Sequence, residues 1–253
     1  HLSIRRQRQM CIRDRFNSEA DMPLYAERGS DLLERLRQVK TVPDIAQIQI
    51  IKNRLWNGPH AIVAWYASLL GHAWVGQGMG DARVSELAER LIRQEVAPAL
   101  VAEYPQMAEV VSRFAEAFLE RCKTSFKDPC ARVGRDPLRK LQRNERILSS
   151  IDLARKHGIA TPALAFGAAL AIHHALQCED DKDQEARAIR QVYRDNHTSV
   201  EAVLTHDSDC NGKRFPGLDP ITDAQLITAI SDAFRQYPQR DMATRRDDLC
   251  IGA

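Results

Sequence analysis

Residues 52–65 read K-N-R-L-W-N-G-P-H-A-I-V-A-W. Within this run Lys52, Asn57 and His60 stand five and three positions apart. At about 100° of rotation per residue, Asn57 falls about 140° from Lys52 and His60 about 80°. All three can therefore share one side of a helix. Leu55, Ile62, Val63 and Trp65 supply the apolar face that buries it. An ammonium that can release a proton, an amide with two donors and an imidazole suit the handling of an alcohol or carbonyl oxygen. The plainer reading leaves Lys52 in solvent and His60 as a partly buried histidine. It makes Asn57 the N-cap of a helix restarting at Gly58-Pro59.

Outward from this stretch the pattern stays helical. Upstream, Ser30 caps residues 31–39, with Leu32, Leu33, Leu36 and Val39 at helical spacing, and Pro43-Asp44 opens the helix carrying Lys52. Downstream, glycines at 71–80 punctuate a connection, and Asp81 caps a helix reaching Leu100 with Pro98 near its end. Residues 106–122 form the next helix, and 124–142 a polar segment rich in arginine. Asn144 caps residues 145–157, which Gly158 ends. Thr161-Pro162 opens a helix apolar on most sides, A-L-A-F-G-A-A-L-A-I, which reads as the buried centre. Residues 184–195 follow as a helix, 199–204 as a turn and 206–216 as a loop. Thr222-Asp223 caps residues 224–234, and the polar tail after Pro238 should fray. Alternating β-branched runs are absent. The expected fold class is all-α, a multi-helix bundle of roughly nine helices.

The 253 residues carry a net charge of +2, are 44% hydrophobic and 28% charged. Nothing in that balance draws the chain to nucleic acid or an anionic membrane, and no apolar run of about 18 residues could span a bilayer. The six cysteines form no C-x2-C pair, and no apolar h-region suggests a secretory leader. A cytoplasmic monomer with reduced thiols is expected. His173, His174 and Cys178, and His206, Asp209 and Cys210, are rich in potential ligands but lack four-ligand spacing, so no metal is expected.

Two blocks in order carry a resemblance. K-x4-N-x2-H followed by A-I-V-A-W at 52–65 is similar to the signature of the polyol-specific long-chain dehydrogenases. C-A-R-V-G-R-D-P-L-R-K-L at 130–141 resembles their mannitol-1-phosphate 5-dehydrogenase branch. The likeness runs from about Asp31 to Tyr237, through G-L-D-P at 217–220, and covers the carboxyl-terminal half of such an enzyme. It implies that Lys52 is the acid–base group, that Asn57 steadies the developing alkoxide and that His60 hydrogen-bonds substrate. Arg132 and Lys140 match positions that contact polyol hydroxyls. Arg135 and Arg139 sit in the phosphate-branch segment, and arginine forks fit phosphate oxygens. The cofactor would be NAD, bound mainly by a preceding Rossmann-type domain. No strand followed by G-x-G-x-x-G occurs in this chain.

Residues 1–15 resemble a translated sequencing-adapter scar; 16–43 would be an inter-domain remnant, 44–238 the helical substrate domain and 239–253 a tail. The expected function is that of the C-terminal catalytic domain of an NAD-dependent hexitol-phosphate dehydrogenase, inactive alone. The alternatives are a free-polyol dehydrogenase, of mannitol 2-dehydrogenase or hexuronate reductase type, and a non-catalytic helical module that binds RNA or an acidic protein.

Overall fold

Proline inside a helix lacks its N–H and crowds the carbonyl four residues back. Pro59 and Pro98 both lie inside long helical runs, and in both the chain widens just upstream. In the structure, a computed structural model, helix α1 (Ile45–Lys52) passes through a π turn at Asn53–Asn57 into α2 (Gly58–Leu69). After the short α3 (Val75–Gly78), α4 (Ala82–Arg90) passes through a second π turn at Leu91–Val96 into α5 (Ala97–Glu103). The wider i→i+5 turn moves the crowded carbonyl aside without breaking the run. Each π turn also rotates the polar residues on it, and both carry residues that matter below.

The structure describes residues 24–28, 35, 39–42, 44–123, 127–178, 180, 182–210 and 212–250, with side chains through Tyr237 except at Leu24 and Cys210. The chain divides into two units at Gln49–Ile50. In the first, β1 (Leu24–Glu27) and β2 (Val39–Val42) pair in parallel, Leu24 opposite Val39 and Glu27 opposite Val42. Val39 thus opens a strand rather than closing a helix, as its β-branched neighbours Thr41 and Val42 favour. Residues 1–15, read as a translated adapter scar, and most of the helix expected at 31–39 lie outside the described residues.

The second unit is helical, as its periodicity implied. After α5 come α6 (Ala108–Lys123), the short α7 (Cys130–Val133) and α8 (Pro137–Lys140), then α9 (Leu148–Lys156). The central α10 (Pro162–Gln177) is buried from Ala163 to Ala175 and packs against α2, α11 (Gln184–Asp195) and α13 (Ala224–Cys250). Its approach to α2 is close because Gly167 has no side chain where Ile62 sits. Asp81 caps its helix as expected; Asp183 and Ser199, which the sequence reading did not name as caps, also cap theirs, each accepting a backbone N–H of the first turn.

Four local expectations change. Residues 144–147 are turns and α9 starts only at Leu148, so Asn144 is not its cap. The turn at 199–204 is a helix, α12 (Val200–Thr205). Within 206–216, β3 (Ser208–Cys210) and β4 (Lys213–Phe215) pair as a hairpin, turned at Gly212 with φ +70°. The last helix runs on to Cys250, past Pro238. No described helix is long and apolar enough to cross a membrane.

Candidate active site

Lys52, the last residue of α1, is exposed. Asn57 is half-buried, and its backbone is helical with no capping bond, so it does not act as an N-cap. Instead its Nδ2 donates to Asn53 Oδ1 at 3.0 Å, leaving the second amide hydrogen for another acceptor. The π turn between Lys52 and Asn57 alters their relation. With one residue added to the turn, positions five apart come near one face, where an unbroken α-helix would leave them about 140° apart. Within this turn Trp56 packs edge-on against Phe118, 5.5 Å between ring centres.

His60, on the first turn of α2, lies against Phe118 and faces Asp128. Its Nε2 is 3.7 Å from Asp128 Oδ2. The other carboxylate oxygen of Asp128 accepts from Arg132, from Nε at 2.8 Å and from Nη2. The histidine, the buried carboxylate and the arginine thus form one chain across α2 and α7. Burial pushes His60 down to about 4; Asp128 opposes this, while Arg132, Arg121 and Lys140 add to it. His60 is therefore neutral at pH 7. The sequence reading missed Asp128, although D-x3-R at 128–132 is the i,i+4 spacing of a helical ion pair.

The segment carrying Asp128 is strapped down by its backbone. Val75 N donates to Asp128 O at 3.0 Å, Cys130 N donates to Ala73 O at 2.9 Å, and Trp74 and Pro129 form an antiparallel bridge. Beyond α7, Gly134 comes so close to Trp65 and His174 that a Cβ would lie 3.0 and 2.9 Å from them. Its carbonyl accepts from Trp65 Nε1 at 2.8 Å. Asp136 turns the chain with φ +57° into α8.

The basic residues of this loop divide by partner. Arg132 keeps its side chain mostly exposed while bound to Asp128. Lys140 is buried, donating to Val133 O at 2.7 Å and to Arg135 O, with its ammonium 5.8 Å from the Trp65 ring centre. Burial, with the Arg139 charge beside it, lowers Lys140 to about 8. Its first task is to pin the α7–α8 loop, which leaves one of its three N–H donors for a ligand. Arg135 reaches Asp180 at 3.7 Å; Arg139 reaches Asp136 at 3.3 Å, and its backbone N–H donates to Glu185 at 2.8 Å. Both expected phosphate ligands are thus turned to carboxylates.

The sequence profile of the mannitol dehydrogenase C-terminal domain matches residues 44–213. The chain belongs to that family. It is 28% identical over 136 residues to the mannitol-1-phosphate 5-dehydrogenase of Caldanaerobacter subterraneus subsp. tengcongensis, covering 53% of this chain and 35% of that protein. Against the Enterococcus faecalis protein of the same name, identity is 25% over 210 residues, 81% of this chain and 50% of that one. Pseudomonas fluorescens mannitol 2-dehydrogenase, solved with NAD and D-mannitol, superposes with a TM-score of 0.66 at 16% identity, over 86% of this chain and 43% of that one. A substrate-free D-sorbitol dehydrogenase gives 0.55 at 17%, over 80% and 41%. At these identities the structural likeness shows the fold alone. The chain spans half or less of the length of these relatives.

All the candidate residues, Lys52 to Lys140, lie inside the span matched to the mannitol dehydrogenase family. Among the described residues no strand runs through a glycine-rich turn into a helix, and β2 leads to α1 through Pro43-Asp44. Nor do three potential metal ligands converge among the described residues. His173, adjacent to His174 in sequence, instead stacks on Phe234, 3.7 Å between ring centres.

Proposed function

We propose that this chain is the substrate-binding and proton-handling domain of a polyol dehydrogenase. The reaction would oxidise a secondary alcohol of a hexitol phosphate, mannitol 1-phosphate first among candidates, to the ketose phosphate. NAD would supply the hydride acceptor from a domain outside the matched half. What supports this reading is that Lys52, Asn57 and His60 follow one another through a single π turn, with His60 facing the Asp128–Arg132 pair, inside the family match. Lys52, in its neutral form, takes the hydroxyl proton; the spare Asn57 amide hydrogen steadies the oxygen left behind. His60, held neutral, exchanges a hydrogen bond with a neighbouring hydroxyl. Free cysteines at Cys122, Cys130 and Cys178 support a cytoplasmic setting for this enzyme.

The first test is the chain by itself. With no dinucleotide cradle among its described residues, the purified chain is expected to produce no NADH from any hexitol. Polyol-dependent NADH production would overturn the division of labour proposed here.

A second reading, a free-polyol dehydrogenase, draws support from the carboxylate partners of Arg135 and Arg139. The phosphate reading draws support from the mannitol-1-phosphate 5-dehydrogenase names of the relatives. Kinetics on the full-length enzyme separate the two. A hydrogen bond to a charged group contributes roughly 1.5–3 kcal/mol, which is about ten- to a hundred-fold in kcat/KM. If phosphate is bound, Arg139→Ala is expected to penalise mannitol 1-phosphate by that factor and leave mannitol nearly unchanged. Arg132→Ala should harm both. Equal kcat/KM for the two substrates in the unmutated enzyme would assign it to free polyols.

A further inference from the structure

Among the described residues, Asp128 is the carboxylate that holds Arg132 and also faces His60. It is buried, its backbone is strapped to residues 73–75 at both ends, and its two oxygens serve different groups. We propose that Asp128 is a positioning residue that sets the tautomer of His60 and the plane of Arg132, and so decides how a polyol's hydroxyls are met. This rests on the polyol reading above.

The donor inventory makes the proposal specific. Arg132 can only donate, and it uses Nε–H and one Nη2–H on Asp128 Oδ1, which leaves three hydrogens of a guanidinium fixed in orientation. The remaining oxygen, Oδ2, faces His60 Nε2 at 3.7 Å. That is a few tenths of an ångström beyond a hydrogen bond, a gap of the kind that closes when such sites bind their ligands. A carboxylate can only accept, so it selects the form of neutral imidazole with its proton on Nε2. Nδ1 then carries a lone pair and accepts a hydrogen bond from a hydroxyl, while Arg132 donates to a hydroxyl or carbonyl oxygen. One buried acid would thus give the site one acceptor and one donor of fixed character. The other charged groups facing His60 are Arg132, Arg121 and Lys140, all cationic and all keeping the imidazole neutral.

The test is the tautomer itself, read on the whole chain by long-range ¹H–¹⁵N correlation NMR at pH 7. His60→Gln identifies the signal among the eight histidines. In the unsubstituted chain the proton is expected on Nε2. In Asp128→Asn, Arg132 keeps the amide oxygen and the amide N–H turns to the imidazole, so the proton is expected to move to Nδ1. An Nδ1–H tautomer in the unsubstituted chain, or the same tautomer in both proteins, overturns the proposal. Should Asp128→Asn fail to fold, the tautomer of the unsubstituted chain decides alone. Neither substrate nor cofactor enters this measurement, so its failure is distinct from failure of the polyol reading, which rests on turnover.

Discussion

Lys52→Ala is expected to lower polyol turnover of the full-length enzyme by a factor on the order of 10² to 10⁴, the range for a positioned proton-transfer group. The motivating observation is its place at the end of α1, one π turn before Asn57. Exposure of its side chain means that the substitution disturbs little packing, so the loss should fall on kcat with the melting temperature unchanged. The π turn gives the result a second use. Pro59→Ala restores a backbone N–H and removes the crowding that goes with proline, and should let the run relax toward α geometry. Turnover should then fall although no polar group has been removed.

The largest effect on stability is expected at Glu95. This residue sits on the second π turn, where Leu91, Ile92 and Val96 are also buried, and only 2% of its surface is exposed. Its carboxylate accepts from Ala163 N at 2.6 Å and Leu164 N at 2.8 Å. It thus closes the N-terminus of the central helix α10, which Thr161 leaves without a side-chain cap. The helix dipole favours an anion there. Glu95→Ala strands two buried donors at a cost of roughly 1–3 kcal/mol each, less where water enters the adjoining cleft between α4, α10 and α13. A loss of about 2–4 kcal/mol lowers the melting temperature of a domain this size by about 5–15 °C.

The pH dependence at Glu95 has a definite sign. Burial raises it to about 6, against the pull of the two amides. An acid whose folded pKa is raised keeps its proton longer when folded. Its ionisation therefore removes stability as pH climbs from about 4.5 through 6, by about 2 kcal/mol in full. The gap between the unsubstituted chain and Glu95→Ala should widen as pH falls from 7 to 5. A gap that narrows on acidification, measured by urea unfolding, would contradict a buried carboxylate held at the helix end.

Much of the helical body was legible because its cues are local. Asp81 precedes its helix by one residue and bonds within it. The apolar run at 163–175 names the central helix directly. What was not legible depends on contacts distant in sequence. Glu95 and Ala163 are 68 positions apart, and a lone glutamate on an apolar face gives no hint of its acceptor role. The π turns escaped a reading made at a fixed 100° per residue, although each was marked by a proline shortly after. Short strands such as β3 and β4 carry three residues each, too few for alternation to register. In the site, motif spacing placed Lys52, Asn57 and His60 on one run. It could not show that Lys140 is buried under Trp65, or that Arg135 and Arg139 meet carboxylates, since those partners lie across turns and in the separate 180–185 segment.

Chemical rescue tests the central claim most directly. Lys52→Ala in the full-length enzyme is assayed with mannitol 1-phosphate and with mannitol, at rising concentrations of a small primary amine. If Lys52 is the proton-transfer group, turnover should be low without amine and rise with the concentration of free base, because the amine occupies the space of the missing ammonium. Near-normal turnover without amine would remove Lys52 from the chemistry. A low rate that no amine restores would leave it a structural lysine and contradict the account.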